Sequence, residues 1–137
     1  VANFAIESIG KVESELRDPK SAPKQADEGA PPAWLVFEPA VRAGLRNIRA
    51  GDQLILITWL DRADRTALTS HPRGDVSRPA QGVFSTRSPH RPNPIGIHTV
   101  EVISVADLRL QVSGLEALDG TPIVDLKPVL DGDPSKR

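Results

Sequence analysis

Cysteine is absent from the 137 residues. That excludes a disulfide framework, a thiolate zinc site and covalent catalysis on sulfur. Methionine is absent as well, so the initiator was removed or lies outside this sequence. No apolar run approaches the roughly 20 residues a membrane helix needs, and nothing over Val1–Gly10 reads as a signal peptide, so a soluble cytoplasmic protein is the default expectation. Charge of one sign is missing too. A formal net charge of -1 excludes a globally basic nucleic-acid binder, and any RNA contact has to come from a local basic patch. Aromatic residues make up only 4% while proline reaches 13 residues. Many prolines in a chain that still alternates apolar and polar residues point to well-made loops on a sheet scaffold.

At this length the chain is expected to be one domain, residues 1–137, burying roughly two-thirds of its unfolded surface. Phe4 to Val12 reads as a first strand, with Gly10 as a candidate bulge. The text from Arg17 to Ala33 is polar and broken by Pro19, Pro23, Pro31 and Pro32, a long loop of the kind that is either functional or a floppy insertion. Trp34–Phe37 reads as a strand. Pro39 then suits the first position of a short helix, and Val41, Leu45 and Ile48 fall on one of its faces. Gln53–Leu60 is apolar on both parities, as in a strand buried on both faces, and ends at the charged Asp61 and Arg62. His98–Val105 reads as a further strand. Leu108, Leu110 and Val112 alternate with polar residues, and Asp119-Gly120 predicts a hairpin turn into Pro122–Leu126. Short strands, one short helix and no βαβ rhythm predict a mainly β chain closed into a β-barrel. No GxGxxG follows the first strand, which argues against a Rossmann nucleotide site.

One run stands apart, GVFSTRSPHRPNPIG from Gly82 to Gly96. Pro89, Pro92 and Pro94 place three fixed backbone angles within six positions and push their predecessors toward extended conformations. A three-residue turn would put His90 and Asn93 on one edge and Ser88, Arg91 and Pro94 on another. Such a rod holds polar heads ready for a ligand, and Arg87 and Arg91 can each fork onto a carboxylate or phosphate. The run can equally be a rigid corner between two strands with solvated arginines. Its PxxP spacing also fits a polyproline-domain ligand, although that motif normally sits in exposed disordered text. Six arginines lie between Arg62 and Arg91 against Asp64 and Asp75, the one candidate RNA-facing patch.

The run TRSPHRPNPIG resembles the signature of the TrmO/TsaA-like (YaeB-like) family of S-adenosylmethionine-dependent tRNA methyltransferases. The likeness extends to Ile9-Gly10, Pro23-Lys24-Gln25, Gly44-Leu45, Pro72-Arg73 and the closing DGTPIVDLKP from Asp119 to Pro128. It therefore spans Ile9 to Pro128 in order. The resemblance implies a closed barrel, S-adenosyl-L-methionine bound near a homodimer interface, a tRNA substrate, no metal, and N6-methylation of N6-threonylcarbamoyladenosine. It further implies that the cofactor meets Gln25, Asp61, Arg62, Arg87, backbone around Ile97, and Asp119, Gly120, Thr121 and Pro122. Arg73, Arg91 and Asn93 fall to the substrate, and Asp119 and His90 to catalysis.

The methylated nitrogen releases a proton, for which Asp119, His90 and His98 are candidate acceptors. His98 also fits a satisfied structural histidine, Asp119 ordinary turn chemistry, and Asp125 with Lys127 a solvated ion pair. Many bacterial members carry a C-terminal accessory domain that this chain, ending nine residues after Pro128, is expected to lack. Another RNA or a small molecule as methyl acceptor, or a non-catalytic nucleotide-binding barrel, are the competing expectations.

Overall fold

The computed structural model describes residues 1–17, 31–71 and 74–130. Eight strands occur among them: β1 (Gly10–Glu13), β2 (Ala33–Phe37), β3 (Gln53–Trp59), β4 (Thr69–Ser70), β5 (Gln81–Gly82), β6 (Ile95–Ala106), β7 (Arg109–Ser113) and β8 (Pro122–Pro128). Six of them pair antiparallel in the ring β1-β2-β7-β6-β3-β8 and back to β1, so the barrel is closed, and β4 with β5 forms a separate ribbon. The alternation read from the sequence drives the closure. Val12, Leu35, Leu56, Leu110, Val112 and Ile123 point inward and are fully buried, each removing apolar area worth about 1.5–3 kcal/mol. β6 is long enough to serve two neighbours. Its first half pairs with β3 and its second with β7, across an irregularity between Val102 and Ser104, and such a bulge bends a strand around a barrel corner.

Several expectations are corrected. The first strand starts at Gly10, not Phe4, and Phe4 is 90% exposed. Gly10 is a site of close approach, not a bulge, because a Cβ there would collide with the Val36 carbonyl. The short helix exists as a 3-10 helix, Pro39–Leu45, with Pro39 in its first turn. It cannot lengthen into a regular α-helix because Asn47 takes a left-handed φ of 72°, yet Val41, Leu45 and Ile48 still pack against the core as read. β3 is fully buried on one face and half-buried on the other, since only the inward face of a barrel strand meets the core. Asp119-Gly120 does form a turn, closed by Thr121 N–H to the Leu118 carbonyl at 3.1 Å, with Gly120 at a φ of 83°. It is not a hairpin. The preceding strand β7 lies between β2 and β6, whereas β8 lies between β3 and β1.

Antiparallel pairing fixes which loops share an end. Trp59 of β3 faces Ile95 of β6, Lys11 of β1 faces Pro122 of β8, and Ala33 of β2 faces Val112 of β7. The segments after β1, after β3, before β6 and before β8 therefore all leave from one end of the barrel. The 3-10 helix Pro39–Leu45 follows β2 at the other end.

Candidate functional site

At the loop-bearing end the Leu118–Thr121 turn is stitched to β1 and its continuation. Asp119 N–H donates to the Leu16 carbonyl at 2.6 Å, Gly120 N–H to Val12 at 2.7 Å, and Val12 N–H to Thr121 at 2.9 Å. With its backbone held on both sides, the Asp119 carboxylate has a fixed position. Oδ1 accepts from Ser14 N–H at 2.9 Å and Oδ2 from the Arg17 guanidinium at 3.4 Å. A carboxylate has about four lone-pair sites, so acceptor capacity remains. Asp119 and Gly120 border a cleft of about 680 Å³ that also carries Glu13, Glu15, Arg17 and Trp34. Trp34 is itself stacked by the Arg109 guanidinium, 4.9 Å from its ring centre, and Arg109 reaches Glu13 at 3.0 Å.

The proline-rich run is not an extended rod. A short 3-10 turn, Val83–Ser85, opens it, and Arg91 gathers the rest. Its Nε donates to the Ser88 carbonyl at 2.8 Å and its Nη2 to the Val83 and Thr86 carbonyls at 2.6 Å each. Proline fixes φ and removes a donor but leaves the ψ of its neighbours open, so a guanidinium able to collect three carbonyls decides the shape. Arg91 thus shapes the loop from within. His90 is exposed, and its Nδ1 accepts the Asp64 N–H at 2.9 Å. In the neutral imidazole that bond leaves Nε2 carrying the proton, so His90 offers a donor and not a free base. The Asp64 carboxylate in turn accepts from the Thr66 hydroxyl and from the Thr66 N–H, which together hold it below the ordinary carboxylate range. Arg65 closes the gap between these loops, Nε to the Pro92 carbonyl at 2.8 Å and Nη2 to Asn93 Oδ1 at 3.2 Å.

Inside the barrel the third histidine is satisfied at both nitrogens. His98 Nε2 lies 2.8 Å from Thr58 Oγ1, which is fully buried, and Nδ1 lies 2.6 Å from Glu116 Oε1. Gly96 makes room for this line, because a Cβ there would overlap Thr58 Oγ1 and come within 2.9 Å of His98 Nε2. The hydroxyl–imidazole–carboxylate order resembles a nucleophilic triad, but a fully buried hydroxyl cannot meet a substrate. The structural reading of His98 fits, and Asp125 and Lys127 likewise form a surface ion pair at 3.2 Å.

The remaining sequence candidates distribute as follows. Asp61 and Arg62 follow β3 at the same barrel end, and Arg62 donates to the Arg17 carbonyl at 2.9 Å. Arg87 is exposed within the 83–94 loop. Pro122 opens β8, and Thr121 is buried with its hydroxyl on the Leu118 carbonyl. Ile97 lies further along β6, opposite Ile57, with its side chain half exposed on the outer wall. Gln25 and Arg73 lie outside the described residues. Ser14, Arg17, Trp59 and Glu116 are gained from the structure. Only Arg17 and Trp59 carried a signal, a cation at a loop start and an aromatic at a strand end, and neither names its partner. Among the described residues, no group of three or more His, Asp or Glu could hold a metal.

Known proteins share much of this sequence and fold. A probable S-adenosyl-L-methionine-binding protein of Archaeoglobus fulgidus is 43% identical over 123 residues, 90% of this chain and 33% of that protein. A second protein of that organism, an S-adenosyl-L-methionine-binding protein, is 37% identical over 89% of this chain and 86% of its own length. The crystal structure of TrmO from Pseudomonas aeruginosa superposes with a TM-score of 0.75 and 26% identity, covering 99% of this chain and 62% of that one. The chain thus spans a third of the first archaeal relative and about three-fifths of the solved structure. The model of the tRNA-methyltransferase O N-terminal domain matches residues 11–132, and on that match the chain belongs to this family.

Proposed function

We propose that the chain is an S-adenosylmethionine-dependent methyltransferase domain acting on tRNA, with N6-threonylcarbamoyladenosine as the acceptor. The observation that carries the reading is that the family's two signature segments, starting at Thr86 and at Asp119, meet at one barrel end through the loop after β3, which reaches Asp119 by way of Arg62 and Arg17 and reaches His90, Pro92 and Asn93 by way of Asp64 and Arg65. The cleft beside Asp119 suits a cationic cofactor, because among the described residues Glu13, Glu15 and Asp119 line it against Lys11 and Arg17 as counter-charges. When bound, S-adenosylmethionine supplies a methyl group on a positively charged sulfur. The carboxylates and Gln111 would accept from ribose hydroxyls and the ammonium, while Arg62, bonded to Arg17 beside the cleft, and Arg87, on the 83–94 loop at the same barrel end, would pair with the carboxylate. Catalysis in such a site is positioning of donor and acceptor without metal or covalent nucleophile. Of the two catalytic candidates Asp119 is preferred for the released proton, since it keeps free lone pairs whereas the accepting nitrogen of His90 is engaged. Asn93 and Arg73 remain with the substrate, Arg91 acting there through the loop it shapes.

A homodimer belongs to the same proposal. Ile57 and Ile97 sit opposite each other on the outer wall, with Ile95 beside them, and Ile95 and Ile97 are each about half exposed. An apolar stripe of this kind suits a second copy, to be checked by sedimentation with Ile97→Lys. Calorimetry with S-adenosylmethionine and S-adenosylhomocysteine tests the cofactor, and no heat with either ends the methyltransferase reading. Incubation with tRNA bearing threonylcarbamoyladenosine, followed by nucleoside mass spectrometry, tests the acceptor. Cofactor binding without methyl gain would remove the tRNA assignment and favour another acceptor.

A further inference from the structure

Across the 119–122 turn from the acidic cleft lies a second one, of about 740 Å³ and opposite in character. Trp59, Arg65, Asn93, Ile95 and Pro122 line it together with the N-terminal segment around Phe4, and among the described residues its lining holds no carboxylate. Trp59, at the end of β3, carries the Arg65 guanidinium 5.1 Å from its ring centre. Arg65 is held there by its bonds to the Pro92 carbonyl and to Asn93 Oδ1. Two consequences follow from those bonds. The Nε–Nη2 edge is occupied and one face lies on Trp59, which fixes the plane of the guanidinium and presents its outer flat face at the exposed side of the cleft. The Asn93 carboxamide, accepting through oxygen, keeps both N–H donors for something else.

We propose that the Trp59–Arg65 stack, with Asn93 at its rim, seats an unpaired nucleobase of the RNA acceptor. The nature of the acceptor rests on the methyltransferase reading; the preference for a flat, electron-rich ring does not. Bases splayed from single strands stack on arginine planes and aromatic faces and are then read by hydrogen bonds at their edges. A cleft with a guanidinium and no acid among its described residues suits a base drawn from a polyanion, whereas the cleft across the turn, with three carboxylates, suits the cationic cofactor. Phe4, 90% exposed in the same cleft, supplies a second apolar surface for the ring.

The test uses the full chain and a labelled single-stranded adenosine ribo-oligonucleotide followed by anisotropy, against an abasic oligomer of equal length. The base-bearing strand is expected to bind about tenfold more tightly than the abasic one. Arg65→Lys, which keeps the charge and loses the plane, should abolish that preference, and Trp59→Leu should do the same. Equal binding of the two oligomers, or an undiminished preference in Arg65→Lys, overturns the proposal. Calorimetry with S-adenosylhomocysteine on the same variant separates the sources of the base. Retained cofactor affinity supports an RNA base, while a parallel loss assigns the stack to the cofactor's own adenine and overturns it. If the parent protein shows base preference yet gives no heat with either cofactor form, the methyltransferase reading falls and the nucleobase seat stands.

Discussion

Gly96 is the second residue of β6, and a glycine within a strand ordinarily weakens a sheet. Here it clears the space in which Thr58 and His98 meet. Gly96→Ala should part that bond and overfill the core, lowering stability by about 1–3 kcal/mol in chemical denaturation; an unchanged midpoint would show the barrel can shift to admit a methyl. Arg87→Ala should weaken cofactor affinity by about 1.5–3 kcal/mol, the range for a hydrogen bond to a charged group, and unchanged calorimetric affinity would remove that assignment. Asp64 offers a pH test. Its folded-state pKa is depressed by the Thr66 hydroxyl and backbone N–H, so its contribution is present above the unfolded carboxylate value and is lost as pH falls through the lower folded one. Carboxyl NMR should find Asp64 titrating below the ordinary aspartate value, and a midpoint at that value would remove the Thr66 contribution. At this scale the sequence read residue types well and partners poorly. His98 was legible as a structural histidine, but Thr58 and Glu116, 40 and 18 residues away, carry no local sign of meeting it.

Among the elements, strands with strong alternation were legible, and β7 and β2 match their sequence bounds within a residue or two. Phe4–Ser8 failed because strand-like composition does not supply a neighbour, and backbone partners on both sides begin only at Ile9, bonded to Ile123 and Glu38, and Gly10. The hairpin at Asp119 failed for a related reason, since turn chemistry specifies a turn and not which strands flank it. The proline run failed because its shape is set by Arg91. Replacing Arg91 with alanine should therefore release the Val83, Ser88 and Thr86 carbonyls together and loosen 83–94 as a unit. Amide exchange should rise across that loop with little change in β7, and global stability should drop by about 1.5–3 kcal/mol. Exchange confined to Arg91's immediate neighbours would mean that the prolines alone hold the loop.

For the whole molecule, the barrel was legible from the rhythm of short strands, but its ring order was not, because the β2-to-β7, β3-to-β8 and β1-to-β8 neighbours depend on long-range pairing. Ring order is what separates the two ends, and with them the charge. A chain of net charge -1 gathers Arg62, Arg65, Arg87 and Arg91 on the loops of one end. Arg62, Arg65 and Arg91 bond carbonyls or an amide there, and such partners leave the positive charge unneutralised. Asp61 and Asp64 offset part of it. Contact with RNA should accordingly engage few phosphates, and with about three of them the logarithmic salt slope for a single strand is roughly -2, a near twentyfold loss of affinity between about 50 and 200 mM salt. S-adenosylhomocysteine, nearly balanced in charge and held in the acidic cleft, should lose far less over the same range. A steep slope for both ligands would mean that the carboxylates beside Asp119 do not set the cofactor's environment. A flat slope for RNA would mean that the arginine-bearing end is not the face it meets.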